Sequence, residues 1–128
     1  MLIEVLKGKI HRATVTQADL DYVGSVTIDG LLLDAAGIRE REKVLISCVE
    51  SGHRLETYVM RGEEGSGVIC LNGAAAHMAG PGCHVIIMCF ALMTPEEHDD
   101  FEAKIVFVDQ GNAITEVRTA EKPGRYQA

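Results

Sequence analysis

The sequence contains two glycine-serine pairs, Gly24-Ser25 and Gly65-Ser66, at which the chain could react with itself. A serine hydroxyl beside an unhindered glycyl carbonyl can attack that carbonyl and cut the backbone. Glycine and serine are also common in turns and β-bulges, because glycine tolerates backbone angles that other residues resist. The dipeptide alone therefore leaves a turn and a self-cleavage site open at each position.

A second candidate segment is HRLETYV, residues 53–59, which is the densest polar patch on any predicted strand. Alternation along a strand places Arg54 and Tyr58 on one face and Thr57 on the other. The structural interpretation is a strand with one solvated face and one packed face. The functional interpretation is that the polar face contributes to a site, and the pattern itself does not choose between them.

Lysine, histidine and asparagine side chains supply two further candidates. Lys9 and His11 share a face of the first predicted strand, and in most proteins such a face is simply solvated. Residues 72–75, Asn-Gly-Ala-Ala, fit a strand end followed by a helix cap. Small residues there would also let a ligand approach backbone N–H groups, and a helix N-terminus favours anions.

The cysteines predict structural thiols. Cys48, Cys70, Cys83 and Cys89 show no CxxC spacing and lie mostly in apolar runs. We therefore expect buried free thiols in a reducing compartment, and no spacing supports a disulfide. His77 and Cys83 show no metal-ligand spacing, so the sequence predicts no metal site.

Length and charge limit the class of protein. The 128 residues predict one domain, residues 1–128, and the net charge of −7 argues against a nucleic-acid-binding surface. An anionic substrate stays open, because a local Lys or Arg cluster acts within a Debye length of about 8–10 Å. The N-terminal basic residues follow the apolar ones, the wrong order for a signal peptide, and the apolar run at 85–93 is about half a membrane span. A cytoplasmic protein with neither nucleic-acid nor membrane partners is expected.

The hydrophobic pattern predicts short strands separated by glycine, with little helix. Strands are expected at 2–15, 25–29, 43–49, 53–60, 67–72, 83–93 and 103–109. One helical turn is expected at 18–22, a helix at 31–37 that ends at Gly37, a helical turn at 73–80 and a helix that Thr94 caps. Six or seven strands of this kind predict a small, mainly β barrel, and the polar tail at 121–128 is expected to be frayed.

Four segments resemble one known family, in order along the chain. They are GKIHRATVTQADLDYVGS at 8–25, LLLDAAGI at 31–38, RLETY at 54–58 and SGVICLNGAAAH at 66–77, and they are similar to the pyruvoyl-dependent aspartate 1-decarboxylase family. The resemblance extends from residue 1 to about residue 93 without evident gaps. It implies a double-psi β-barrel, a homotetramer, and a processing site at Gly24-Ser25 rather than Gly65-Ser66.

The resemblance also implies how the catalytic group forms. Ser25 would attack the Gly24 carbonyl, and elimination and hydrolysis would leave a pyruvoyl group, a covalent cofactor made from Ser25, at the start of residues 25–128. Its ketone would form a Schiff base with L-aspartate and take up the electrons that decarboxylation leaves. The products would be CO2 and β-alanine, the latter for pantothenate synthesis. A maturation partner is neither implied nor excluded by these residues.

Family roles are implied for matching positions. Lys9 and Arg54 would bind the substrate carboxylates, and Arg54 suits a planar, bidentate contact. Tyr58 would return a proton to the carbanion, because a phenol carries its proton at neutral pH. The substrate would also contact Thr57, Asn72 and the backbone of Gly73, Ala74 and Ala75, with Tyr22 and His11 as further candidates.

Two features keep alternatives open. Thr57 and Tyr58 lie on opposite faces by alternation, so a subunit-interface site, a bulge or a strand end is needed to bring both to one site. Family members commonly have a tryptophan where this chain has Ser47, which keeps open a pyruvoyl-dependent decarboxylase for another substrate. A catalytically silent barrel that acts as a binding or assembly module is the alternative from a different class, and it would remain uncut.

Overall fold

A computed structural model describes residues 1–119, 121, 123 and 124, and these residues are mainly β with short helices. The strands are β1 (Ile3–Thr14), β2 (Gln17–Asp19), β3 (Ser25–Asp29), β4 (Lys43–Cys48), β5 (Arg54–Gly62), β6 (Ile69–Asn72), β7 (His84–Met93), β8 (Lys104–Val108) and β9 (Ile114–Arg118). The helices are α1 (Gly30–Ala36), α2 (Pro95–Asp100) and a 3-10 turn, Gly73–His77. The predicted mainly β class is confirmed.

The strand order brings Ser25 and Asn72, two of the predicted site residues, next to each other. Within the described residues the order is β2-β6-β3-β5-β4-β7-β1-β8-β9. β3 pairs antiparallel with β6 and parallel with β5, so Ser25, the first residue of β3, lies opposite Asn72, the last residue of β6. Closure of this sheet into a double-psi barrel stays a prediction.

Aliphatic side chains form the core of this sequence, in which 5% of the residues are aromatic. Among the described residues no aromatic ring belongs to the buried cluster. Its fully buried members include Ile10, Val26, Ile28, Val44, Ile46, Val59, Leu71 and Ile87. Each such side chain stabilises the fold by about 1.5–3 kcal/mol relative to exposure. The inward faces of β3, β5 and β6 belong to this cluster, so the site is built on packed strands.

Local sequence signals fix the helix ends. The Asp29 carboxylate accepts the Leu31 N–H at 2.8 Å, and Gly37 closes α1 with a left-handed φ of 70°. Thr94 and Glu97 form a reciprocal capping box at the start of α2, with hydrogen bonds of 3.0 and 3.1 Å. Both predicted helices are confirmed, and so is the hairpin of β4 and β5.

Two short strands differ from the sequence-based expectation. The helical turn predicted for residues 18–22 is wrong at its start, because Gln17–Asp19 forms β2, which pairs in parallel with Cys70–Asn72 of β6. β9 was not predicted, and all of its residues are exposed, so no alternation of burial marks it. The expectation of a frayed tail concerns residues that lie largely outside the described part of the chain.

Candidate active site

A cavity of about 220 Å³ opens beside the Gly24-Ser25 bond. It lies just before the start of the β3–β5 ladder, because the pairing of these two strands begins only at Val26 and Val59. The residues that line it are Gly24, Ser25, Leu55, Glu56, Thr57, Asn72, Ala74 and Ala75. The structure therefore brings together Ser25, Thr57, Asn72 and two small residues of the 3-10 turn, Ala74 and Ala75.

The Asn72 side chain orients the Ser25 hydroxyl. Both residues are buried, with exposed fractions of 1% for Asn72 and 2% for Ser25. Asn72 Nδ2 donates to Ser25 Oγ at 3.1 Å and to Thr27 Oγ1 at 3.0 Å, and the Cys70 thiol donates to Asn72 Oδ1 at 3.0 Å. Ser25 Oγ accepts from Asn72 and donates weakly to the Val23 carbonyl at 3.4 Å.

Sequence reasoning missed two of these residues, Thr27 and Cys70. Each lies two positions from a predicted site residue on the same strand, Thr27 from Ser25 and Cys70 from Asn72. Residues two apart on a strand share a face. That spacing was the signal that could have found both.

Gly73 brings the 3-10 turn close to the candidate cleavage bond. Its φ is 59°, and a Cβ at this position would lie 3.0 Å from Gly24 Cα and 3.2 Å from the Tyr22 carbonyl oxygen. Glycine is required here by both the backbone angle and the close approach. At Gly24 a Cβ would meet no described atom within 4 Å, so packing of the folded chain does not demand glycine there.

The second glycine-serine pair forms a turn. Gly65 has a φ of 78°, and its N–H donates to the buried Asp29 carboxylate at 3.0 Å. Ser66 Oγ donates to the Glu63 carbonyl at 2.6 Å and accepts the Val68 N–H at 3.2 Å. The turn interpretation accounts for Gly65-Ser66 fully, whereas Ser25 borders a cavity.

Arg54 and Tyr58 lie outside the cavity of one chain. Both are exposed, whereas Thr57, which lines the cavity, points to the other side of β5. The pairing of β4 with β5 is continuous from Ser47 opposite Arg54 to Lys43 opposite Tyr58. No bulge in this stretch turns the tyrosine toward Thr57, which removes one of the ways to reconcile the two residues.

Lys9 shares the outer face of the sheet with the arginine and the tyrosine. Lys9 is paired with Met88, Met88 with Leu45, and Leu45 with Glu56 of β5. Directly paired residues point to the same side of a sheet, and Glu56 lies on the same face as Arg54 and Tyr58, because it is two positions from each. At about 4.8 Å per strand, Lys9 lies roughly 14 Å from β5.

The charges of the site are concentrated on this outer face. Glu56 is the one charged residue among the described residues that line the cavity, and it pairs with Lys43 at 3.1 Å. Lys9 Nζ donates to the Glu121 carboxylate at 2.8 Å. Exposed pairs of this kind contribute about 0–1 kcal/mol, so another carboxylate can replace Glu121 at little cost.

His11 and Tyr22 are not among the cavity-lining residues. Burial, together with the positive charges of Lys9 and Arg12, lowers the pKa of His11 from 6.5 to about 4. Tyr22 is 61% exposed and borders a separate cavity of about 370 Å³ on the side of Asn72 that faces β2. Neither residue contacts the Ser25 cavity in one chain.

Ser47 carries a buried hydroxyl without a partner among the described residues. It lies opposite Arg54 on β5 and opposite Ile86 on β7. Buried hydroxyls usually make a hydrogen bond, so a polar group next to Ser47 would be favourable.

The part of the chain that the structure describes has no helix long and apolar enough to cross a membrane.

Comparison with known proteins gives a consistent result. The family model described as "Aspartate decarboxylase" matches residues 1–115. The chain is 57% identical over 122 residues to the aspartate 1-decarboxylase of Caldicellulosiruptor saccharolyticus, covering 95% of each chain. It is 56% identical over 124 residues to the enzyme of that name from Clostridium acetobutylicum, covering 97% of this chain and 98% of the relative. The aspartate 1-decarboxylase of Bacillus cereus is 54% identical over 124 residues, with the same coverage.

Proposed function

The chain belongs to the aspartate decarboxylase family, and on this premise we propose that it is a carboxy-lyase that converts L-aspartate to β-alanine and CO2. The observation that carries the proposal is the placement of Ser25, buried in the wall of a small cavity and hydrogen-bonded by Asn72. β-Alanine made in this way would serve pantothenate synthesis in the cytoplasm, where the four free thiols would stay reduced.

The first step proposed is self-cleavage at Gly24-Ser25. Ser25 Oγ attacks the Gly24 carbonyl carbon, the carbon-nitrogen bond breaks as the nitrogen takes up a proton, and an ester links the two residues. Elimination releases the Gly24 carboxylate, and hydrolysis of the dehydroalanine at position 25 releases ammonia. A pyruvoyl group then begins the chain of residues 25–128. Asn72, which donates to Oγ at 3.1 Å, would hold the oxygen in place before attack.

The residues around position 25 fit such a group. Gly24, Ala74 and Ala75 have small side chains or none, and the cavity of about 220 Å³ is slightly below the usual range for ligand pockets, about 300–1,000 Å³, which suits a small amino acid. A pyruvoyl ketone would supply the electrophile that takes up the amine and the electron pair of the reaction. Thr57 and the backbone of the 3-10 turn, residues 73–75, would contact the substrate.

We propose that the outer face of a second copy in a homotetramer completes the site. Among the described residues, the cavity lining of one chain contains no cation, although aspartate carries two carboxylates. Arg54 and Lys9 on the outer face would bind those carboxylates, with Lys9 exchanging Glu121 for the substrate. Tyr58, on the same face, would donate the proton that replaces CO2 on the substrate carbon.

Intact mass spectrometry of the purified protein tests the processing step. The parent chain should give fragments 1–24 and 25–128, and the larger fragment should carry a carbonyl that borohydride reduces. Ser25→Ala should stay uncut and folded, and Ser66→Ala is the matched control that should be cut like the parent. An intact chain after prolonged warm incubation, with or without cell extract, would reject the proposal in favour of a silent binding module.

Mixed tetramers test the shared site. Ser25→Ala subunits, which are inactive alone, and Arg54→Ala subunits, whose KM for aspartate is raised, should give a fraction of sites with the parent KM when they are unfolded and refolded together. A mixture in which no site has the parent KM would show that one copy supplies both residues.

A second candidate is a pyruvoyl-dependent decarboxylase for another amino acid. The Ser47 hydroxyl next to Arg54, which has no hydrogen-bond partner among the described residues, favours it. Release of CO2 from aspartate, glutamate and uncharged amino acids, compared by kcat/KM, separates the two candidates. A preference for any amino acid other than aspartate would replace the first.

A further inference from the structure

Two thiols and a carboxylate meet where β4 ends and β7 begins. The Sγ atoms of Cys48 and Cys83 and a carboxylate oxygen of Glu50 all lie within 4.8 Å of one another. Thiolates and carboxylates are zinc ligands, and thiolate favours zinc over calcium or magnesium. We propose that Cys48, Glu50 and Cys83 bind one zinc ion, with water in the fourth position. This site is separate from the Ser25 cavity and does not depend on the function proposed above.

Backbone hydrogen bonds hold the two cysteines in fixed positions. The Cys48 N–H donates to the His53 carbonyl at 2.9 Å, and the Cys48 carbonyl accepts the Gly52 N–H at 2.9 Å, within the β4–β5 hairpin. On the other side, the Cys83 N–H donates to the Gly80 carbonyl at 3.2 Å and its carbonyl accepts the Val15 N–H at 2.8 Å. The two thiols therefore come from rigid segments that the ladder of β4 and β7 joins.

His84 positions the carboxylate. Its backbone N–H donates to Glu50 Oε1 at 2.8 Å, and its Nδ1 lies 2.6 Å from Oε2. These two hydrogen bonds hold the Glu50 carboxylate beside the two thiols. The Cys48 thiol donates to Glu50 Oε1, with a distance of 3.8 Å between Sγ and Oε1. Partners that hold a metal ligand in this way are typical of zinc sites.

The distances suit a tetrahedral ion after a small adjustment. With zinc-sulfur bonds of about 2.3 Å and zinc-oxygen bonds of about 2.0–2.2 Å, neighbouring ligand atoms are about 3.4–3.8 Å apart. The ligand atoms would thus approach one another by at most about 1.4 Å from their present spacing of up to 4.8 Å. Cys48 is 2% exposed, whereas Glu50 is exposed, so the ion would enter from the carboxylate side and displace the thiol protons to solvent.

Cobalt titration of the reduced, metal-free full-length protein tests the site. One equivalent of Co²⁺ should give intense visible bands of a tetrahedral ion and a near-ultraviolet sulfur-to-cobalt band, and one equivalent of Zn²⁺ should abolish both. Cys48→Ser and Cys83→Ser should each lose the near-ultraviolet intensity in part and weaken zinc binding at least tenfold. His84→Ala should weaken it by about 10–100-fold. Cys89→Ala, in the core and distant from Glu50 in the pairing scheme, is the matched control and should bind like the parent.

Thermal unfolding with and without zinc checks that each variant folds. Zinc should raise the midpoint of the parent and of Cys89→Ala more than that of Cys48→Ser, Cys83→Ser or His84→Ala, because those variants bind zinc more weakly. The absence of a saturable cobalt band in the folded parent would overturn the proposal. So would equal cobalt spectra of the parent and Cys83→Ser, or a Cys48–Cys83 disulfide found by mass in protein purified under reducing conditions.

Discussion

The most informative single change is Cys70→Ala, because it acts on Ser25 through one buried amide. Burial, together with the negative charge of Asp19, raises the pKa of the Cys70 thiol, so the thiol keeps its proton and donates to Asn72 Oδ1 at 3.0 Å. This bond fixes which end of the amide faces the serine. Nδ2 then donates to Ser25 Oγ and Thr27 Oγ1.

Removal of the thiol leaves Asn72 Oδ1 without a donor at a site that is 1% exposed. A buried acceptor without a partner costs about 1–3 kcal/mol, and a thiol is a weak donor, so the lower end is expected. The amide can avoid this cost by rotating. Its oxygen would then face the Ser25 hydroxyl and accept a hydrogen bond from it. If only the parent orientation supports attack on Gly24, about 1 kcal/mol slows cleavage by roughly fivefold.

Cleavage is followed by intact mass on freshly isolated, uncut protein at a fixed temperature. Cys70→Ala should cleave about fivefold more slowly, from the ~1 kcal/mol above, whereas Cys70→Ser keeps a hydroxyl donor and should cleave like the parent. Cys89→Ala, a buried thiol far from Asn72 in the strand order, controls for loss of a core sulfur. A Cys70→Ala rate within twofold of the parent, or a Cys70→Ser rate as slow as that of Cys70→Ala, would refute the role of the thiol in orienting the amide.

Three further predictions concern the outer face. Arg54→Ala should raise KM for aspartate by about 10–150-fold, because it removes a charged hydrogen bond worth ~1.5–3 kcal/mol. Solvent exposure of the arginine favours the lower figure, and an unchanged kcat/KM in processed protein would exclude Arg54 from the substrate site. Tyr58→Phe should lower turnover per pyruvoyl group by about 10²–10⁴-fold while folding and assembly persist, and a rate within threefold of the parent would assign the proton to another donor. Burial, together with Lys9 and Arg12, lowers the pKa of His11 from 6.5 to about 4. The stability that His11 contributes is therefore complete above pH 6.5 and is lost as the pH falls toward 4, because the unfolded chain takes up the proton first. Urea unfolding midpoints of the parent should therefore fall more steeply over this range than those of His11→Gln, and parallel slopes would contradict this assignment.

Local signals in the sequence were sufficient for the elements that short-range chemistry determines. Asp29 and Gly37 mark the ends of α1, and Thr94 with Glu97 begins α2, because each cap satisfies backbone groups within a few residues. Alternation correctly separated the two faces of β5, since one face packs on the core. These predictions needed no knowledge of which strands pair.

Long-range pairing determines what the sequence did not reveal. β2 exists because Gln17–Asp19 pairs with residues far along the chain, and three residues carry too little periodicity to show it. Cys48 and Cys83 are 35 positions apart and meet only through the ladder of β4 and β7, so a search for ligand spacing along the chain could not find them. Burial and pairing, rather than spacing, reveal clusters of this kind.

We propose that assembly of two copies accounts for the separation of Thr57 from Tyr58. A regular β5 cannot turn both side chains to one side, and its unbroken pairing with β4 excludes a bulge between Arg54 and Tyr58. The cavity that holds the serine is lined by Leu55, Glu56 and Thr57 of β5 and contains no cation among its described lining residues. The outward side carries Arg54 and Lys9, and Lys9 lies about 14 Å from β5 across the sheet. An acidic substrate needs both, so two copies that place the outward face of one against the cavity of the other would supply them without any strain in the strand.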